Sequence, residues 1–313
     1  MSTNKWLIAG GMAVICGVWG STYLAIRVVV EQLPPFTMAG ARFLTAGVLL
    51  YGFLRLRGVP APDRAAWLGG ARAGALMLVG GNGVVCFAEQ WVPSGIAALV
   101  MAGSSVWLVL WHWAFGGPRP TPRKALGTAI GLSGVLVLVG PGGTEGPWWG
   151  VPALLFASNC WCLGSLSLRS ARMPANPAMT CALYSLTGGS LLLALGWTLG
   201  EWPRVDLAAV PDAGWLGLAW LIVMGSLVAG SVFTWLLRNA PIHVVSSYAF
   251  VNPVIAVVLG ATFLAEPFGT TEALALGLAL AGLALARGGP KVPATKSLGG
   301  QTRVLPQPQK AVS

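Results

Sequence analysis

The chain has 313 residues, of which only 19 are basic and 9 acidic, while 55% are hydrophobic and the mean hydropathy is +0.73. Soluble domains carry roughly 25% charged residues, so this composition excludes a water-soluble globule and identifies an integral membrane protein. The net charge of +10 would suggest nucleic acid in a soluble chain, but here the basic residues sit in short segments between apolar stretches and read as a topology signal, with no nucleic-acid partner expected.

The apolar stretches are continuous rather than alternating, which is helical patterning and not that of a β-barrel. Each approaches the roughly 20 residues that span about 30 Å of hydrocarbon. In chain order, spans are expected at 6–26, 37–54, 70–88, 94–115, 124–140, 148–168, 178–199, 214–236, 243–265 and 271–287. With a cytoplasmic N-terminus, all of the 19 basic residues except Arg27, Arg42 and Arg204 fall on the cytoplasmic side. The positive-inside rule thus predicts an all-α protein of ten transmembrane helices, N-in and C-in. Lys5 and the run after it look like a signal peptide, but the run is too long and no small-x-small site precedes Arg27, so it is read as a mature helix. Residues 288–313 are basic, rich in Pro and Gly and free of acids, and read as a disordered cytoplasmic tail. The 43 glycines suit helices that approach closely. Cys16, Cys86, Cys160, Cys162 and Cys181 all lie in apolar stretches as small apolar residues; no metal or cofactor is expected.

Several polar and aromatic residues stand out against this background. Trp19 and Tyr23 are four apart on the first span and share a face. Arg27 and Glu31 can pair at the same spacing, and with Arg42 and Glu89 they gather toward the outer ends of the first three spans. Arg42 lies roughly 7 Å inside its span, and snorkelling outward to Glu89 or to headgroups is expected of it. An interfacial structural network and an outer gate, with Glu89 as a titrating member, both fit this group. Asn82 lies mid-span among Gly80, Gly81 and Gly83, where helix packing and a substrate contact are equally open. His112, between Trp111 and Trp113, and His243 read as interfacial residues. In the ninth span Tyr248 and Asn252 share a face at mid-depth, next to Pro253. Pro253 has no N–H for the carbonyl of Ala249, and hydrocarbon offers that carbonyl no partner. A broken helix at this depth must face protein or a water-filled cavity, so this stretch is a candidate site wall.

The chain also repeats itself. Trp19 and Arg27 recur at the same separation as Trp161 and Arg169, and Pro93 and Gly134 recur as Pro241 and Gly282. Residues 1–140 and 141–287 therefore read as two copies of a five-helix unit, and an odd helix count inserts the second copy upside down. Inverted repeats of this kind enclose a central site in many secondary transporters.

The stretches Trp19-Gly-Ser-Thr-Tyr-Leu-Ala-Ile-Arg27, Pro34-Pro-Phe-Thr-Met-Ala-Gly-Ala-Arg42-Phe, Pro93-Ser-Gly-Ile-Ala-Ala-Leu and Ser247-Tyr-Ala-Phe-Val-Asn-Pro253, with Glu266 beyond, resemble the EamA family of the drug/metabolite transporter superfamily, and within it the YedA-like permeases. The resemblance covers Trp6 to Arg287. It implies a ten-helix carrier of the bacterial inner membrane that exports small metabolites such as amino acids, with protons as a candidate coupling ion and the substrate left open. Substrate contacts are expected from Trp19, Tyr23, Asn82, Trp161, Tyr248 and Asn252, and gating or coupling from Arg27, Arg42, Glu89 and Pro253. The family often has Pro in its fourth helix and an acid after it. Here that helix has Ser105 and then a Gly116-Gly-Pro-Arg119 turn, so a kink is expected only in the second half, where Pro253 and Glu266 remain. Two other classes are weighed against a carrier. A membrane enzyme would need convergent catalytic groups at depth, which the spans lack, and a sensor or scaffold subunit would move no substrate. With no P-loop, direct use of ATP is not expected.

Overall fold

The computed structural model describes residues 5–114, 119, 121–139, 147–266 and 269–287. The expected tail at 288–313 and most of the Gly116 turn lie outside these residues, as do the side chains of Ser105, His112 and His243.

All regular structure among the described residues is helical. In chain order the helices are α1 (Lys5–Val30), α2 (Pro35–Leu56), α3 (Arg64–Ala88), α4 (Ser94–Met101), α5 (Ser104–Ala114), α6 (Pro122–Val139), α7 (Gly150–Ser170), α8 (Pro177–Thr198), α9 (Asp212–Asn239), α10 (Ile242–Val245), α11 (Tyr248–Phe263) and α12 (Thr270–Arg287). Among the described residues, α1, α2, α3, α8 and α9, together with Gly150–Arg169 of α7, are each long and apolar enough to cross a membrane. Large side chains such as Leu49, Phe53, Phe156, Leu216 and Val258 are exposed on the helix faces, where hydrocarbon rather than water can accommodate them. The interior is lined instead by Ile15, Ile26, Met77, Leu154, Leu221 and Phe233.

Small residues set the closest helix approaches, because between helices in lipid van der Waals packing replaces the hydrophobic driving force. A Cβ on Gly47 would lie 2.7 Å from the backbone nitrogen of Leu186, and one on Gly189 2.5 Å from that of Leu44, so α2 and α8 touch backbone to backbone. Gly134 and Gly282 do the same for α6 and α12. The first abuts Ala275, the second Gly127 and Gly131, so the two glycines matched by the sequence repeat lie in one helix pair.

Two acids staple helix ends across long stretches of chain. Glu201 accepts the backbone N–H groups of Phe36 (3.3 Å) and Thr37 (2.7 Å) and the Thr37 hydroxyl (2.8 Å) at the N-terminus of α2. Glu266 accepts the backbone N–H (2.9 Å) and the hydroxyl (2.8 Å) of Ser94 at the start of α4. Pro34 and Pro93, the residues before these helices, carry no side-chain oxygen to cap them, and a carboxylate at a helix N-terminus satisfies orphan donors and meets the positive end of the dipole.

Expected spans 94–115 and 243–265 are each two helices. The second breaks at Ser246–Ser247, upstream of Pro253, which lies buried inside α11. The first breaks at Ala102–Gly103. A kink confined to the second half is therefore incorrect: the first half is interrupted without a proline. The physical reason is that its two pieces share α7 but differ in their other neighbours. α4 packs on α1, α7 and α11, while the indoles of Trp107 and Trp111 in α5 donate to Ser158 (2.9 Å) and Asn159 (2.6 Å) of α7. A Cβ at Gly103 would lie 2.9 Å from the Val100 carbonyl oxygen, so the turn leaves little room for a side chain there.

Candidate functional site

α3 and α9 each contain a π-helical segment, Gly74–Gly83 and Leu221–Val228. Such widened turns leave backbone and small residues facing outward and often mark functional sites. Here the two segments flank a cavity with about 760 Å³ of non-atom space, including its open mouth.

Trp19, Tyr23, Asn82, Trp161, Tyr248 and Asn252, the residues expected to contact substrate, all line this one cavity. The indoles of Trp19 and Trp161 meet edge to face with centroids 5.4 Å apart, and Trp19 meets the Tyr248 ring at 5.1 Å. The Trp161 indole N–H donates to the Tyr248 hydroxyl (2.7 Å), and that of Trp19 to the Gly225 carbonyl (3.1 Å), so both rings are fixed by polar bonds as well as packing. With its amide oriented by its partners, Asn252 donates to the carbonyls of Cys16 (3.2 Å) and Tyr248 (3.0 Å). Asn252 thus clamps α11 to α1 at the cavity wall. Ala249, whose carbonyl has lost its helical donor to Pro253, also lines the cavity. Asn82 accepts from the Cys86 thiol at 3.5 Å.

The charged group divides. Arg27 pairs with Glu31 at 3.4 Å and donates to the backbone carbonyl of Glu89. Arg42 does not reach outward. It is 2% exposed and lines the cavity; its Nε donates to the Ser226 hydroxyl (2.9 Å), and its guanidinium lies 4.5 Å from the Phe43 ring centroid. The expected outward snorkel fails because the π-segment of α9 opens a place for the guanidinium. A Cβ at Gly225 would sit 2.9 Å from Arg42 Nη2, and the Ser226 hydroxyl is held by the Leu221 carbonyl (3.0 Å) so that it can accept. Glu89, 0% exposed just past the end of α3, has neither oxygen hydrogen-bonded. Burial pushes its carboxyl well above the usual carboxylate range; Glu266 adds to this, while Arg27 and Arg42 oppose it.

Thr22, Tyr184, Gly225 and Ser226 also line the cavity, and sequence reasoning missed them. For Tyr184 a signal existed. The chain has 15 tryptophans but only 4 tyrosines, and Tyr23, Tyr184 and Tyr248 all face this cavity.

Against known proteins, the sequence pattern of the EamA-like transporter family matches twice, over residues 5–140 and again over 148–288. The chain belongs to the EamA-like transporter family. It is a membrane transporter that would bind small molecules. Among its relatives is the uncharacterized inner membrane transporter YedA of Escherichia coli K12, 38% identical over 271 residues that cover 86% of this chain and 87% of the relative. The uncharacterized transporter YvbV of Bacillus subtilis is 24% identical over 86% of this chain and 87% of its own. One solved crystal structure superposes with a TM-score of 0.66 at 22% identity, covering 92% of this chain and 98% of that one, a likeness of fold.

Proposed function

We propose that this EamA-family member is a secondary transporter of the bacterial inner membrane that exports small metabolites, amino acids among them, by alternating access. In this reading ten spans form two inverted five-helix halves, residues 1–140 and 141–287, with both termini cytoplasmic, and protons are the candidate coupling ion. The observation that carries it is the contact between Trp19 and Trp161, the tryptophans matched by the sequence repeat, in the wall of one cavity. A site built from matched positions of two halves is what a rocking mechanism exposes to each side in turn. The double family match, the π-segments of α3 and α9 and the paired glycines of α6 and α12 support the duplication. The inner-membrane location rests on the named location of YedA.

The test is flux of a labelled amino-acid and metabolite panel in proteoliposomes, with and without an imposed pH gradient. Saturable movement of at least one compound is expected. No saturable flux for any of them would overturn the carrier reading.

A further inference from the structure

Arg42 is a buried cation without a matching anion. One of its nitrogens, Nε, is bonded to Ser226, whereas Nη1 is buried and has no partner. Among the described residues no carboxylate lies within ion-pairing distance of it, and the salt bridge seen there joins Arg27 to Glu31. A guanidinium enclosed in this way, at the wall of a cavity in a membrane protein, is stable only when an anion or water meets its free donors. Its neighbours hold it in that position. Ser226 fixes the Nε edge, the Phe43 ring lies beneath the plane, and Gly225 leaves room for Nη2. Across the same cavity stand Trp19, Trp161 and Tyr248, rings suited to a flat or apolar body.

The geometry points to Arg42 as the anchor for a carboxylate on the transported molecule, whose apolar part lies against Trp19, Trp161 and Tyr248. This deepens the carrier reading and rests on it for the word transported. A monoanion balances the single charge of Arg42. A phosphate dianion would leave excess negative charge in a buried site where Arg42 is the one charged side chain among the described lining residues. Guanidinium and carboxylate also match in shape, so replacing the acid by an amide removes charge and an acceptor while keeping size.

The experiment is equilibrium binding to the full-length protein in detergent, read by calorimetry and by thermal stabilisation. The probes are 3-phenylpropionate, butyrate and L-phenylalanine, each beside its primary amide, together with phenyl phosphate. Carboxylates are expected to bind about 10-fold or more tightly than their amides, since hydrogen bonds to charged partners are the strong class. Arg42→Gln should erase that preference, and Arg42→Lys should keep part of it. Equal affinity of acids and amides, absence of binding by every carboxylate, tighter binding of phenyl phosphate, or a preference that survives in Arg42→Gln would each overturn the proposal. The wild-type comparison of acid with amide stands even if Arg42→Gln does not fold. Carboxylate preference without flux in proteoliposomes would sink the carrier reading and leave the anchor. Saturable flux indifferent to the carboxylate would do the reverse.

Discussion

Glu201 and Glu89 are both almost fully buried carboxylates, and they could hardly be housed more differently. Glu201 sits at the N-terminus of α2, where two backbone N–H groups and a hydroxyl point at it. Glu89 follows the end of α3, where the nearby donor, Arg27, bonds to its backbone carbonyl rather than to its side chain. Helix starts offer unpaired N–H groups and a positive dipole end, whereas helix ends offer carbonyls and a negative one. The same side chain is therefore a structural staple in one place and an uncompensated group in the other. Glu266, partly exposed at the start of α4, repeats the Glu201 arrangement with a weaker enclosure.

Removing the staple should break this contrast most visibly. Glu201→Ala orphans the Phe36 and Thr37 N–H groups and is expected to cost roughly 2–3 kcal/mol, seen as a lower melting temperature of purified protein. Glu266→Ala should act in the same direction by about 1 kcal/mol, because partial exposure screens its bonds. If either loss is no larger than that from Glu89→Ala, the staple reading fails.

Glu89→Gln should have the opposite sign. A carboxyl whose folded pKa is raised binds more protons in the folded than in the unfolded chain, so its contribution to stability falls as pH rises from the unfolded value of about 4.3 through the folded one. Wild-type stability should therefore decline across that window. Glu89→Gln should flatten the decline and exceed wild type by about 1 kcal/mol at pH 8. A melting profile from pH 5 to 8 that is equally steep in both proteins would remove Glu89 as the titrating group.

The same contrast marks how far the sequence was readable. Trp19 and Trp161 could be picked out because the repeat gave a reason to prefer them over the other tryptophans, and Tyr248 and Asn252 because polarity at mid-depth in lipid demands a partner. The helix-end stapling by Glu201 was not legible, since its partners lie far away in sequence and the prolines at the start of α2 and just before α4 merely permit a helix start. The break at Ala102–Gly103 was equally hidden. No proline marks it, and its cause lies in neighbours that differ beyond the shared α7, since only α4 also packs on α1 and α11. The position of Arg42 was misread for a related reason. Snorkelling follows from the sequence of one helix, but the inward turn depends on Gly225 and Ser226 in a π-segment of another.

The smallest expected effect concerns how Glu266 is presented to α4. α11 ends at Phe263, and Ala265 then adopts φ 51°, in the left-handed region, which turns the chain so that the Glu266 N–H returns to the Gly260 carbonyl (3.2 Å). An alanine there carries a steric penalty of about 1 kcal/mol that glycine does not. Glycine gives part of this back through the greater freedom of the unfolded chain. Ala265→Gly should therefore raise stability by only about 0.5 kcal/mol, and it should leave the loss on Glu266→Ala unchanged, because the staple itself is untouched. Destabilisation by Ala265→Gly would mean instead that the Ala265 methyl group packs to advantage, and that the left-handed turn is held by that contact rather than tolerated for the sake of the Glu266 bonds.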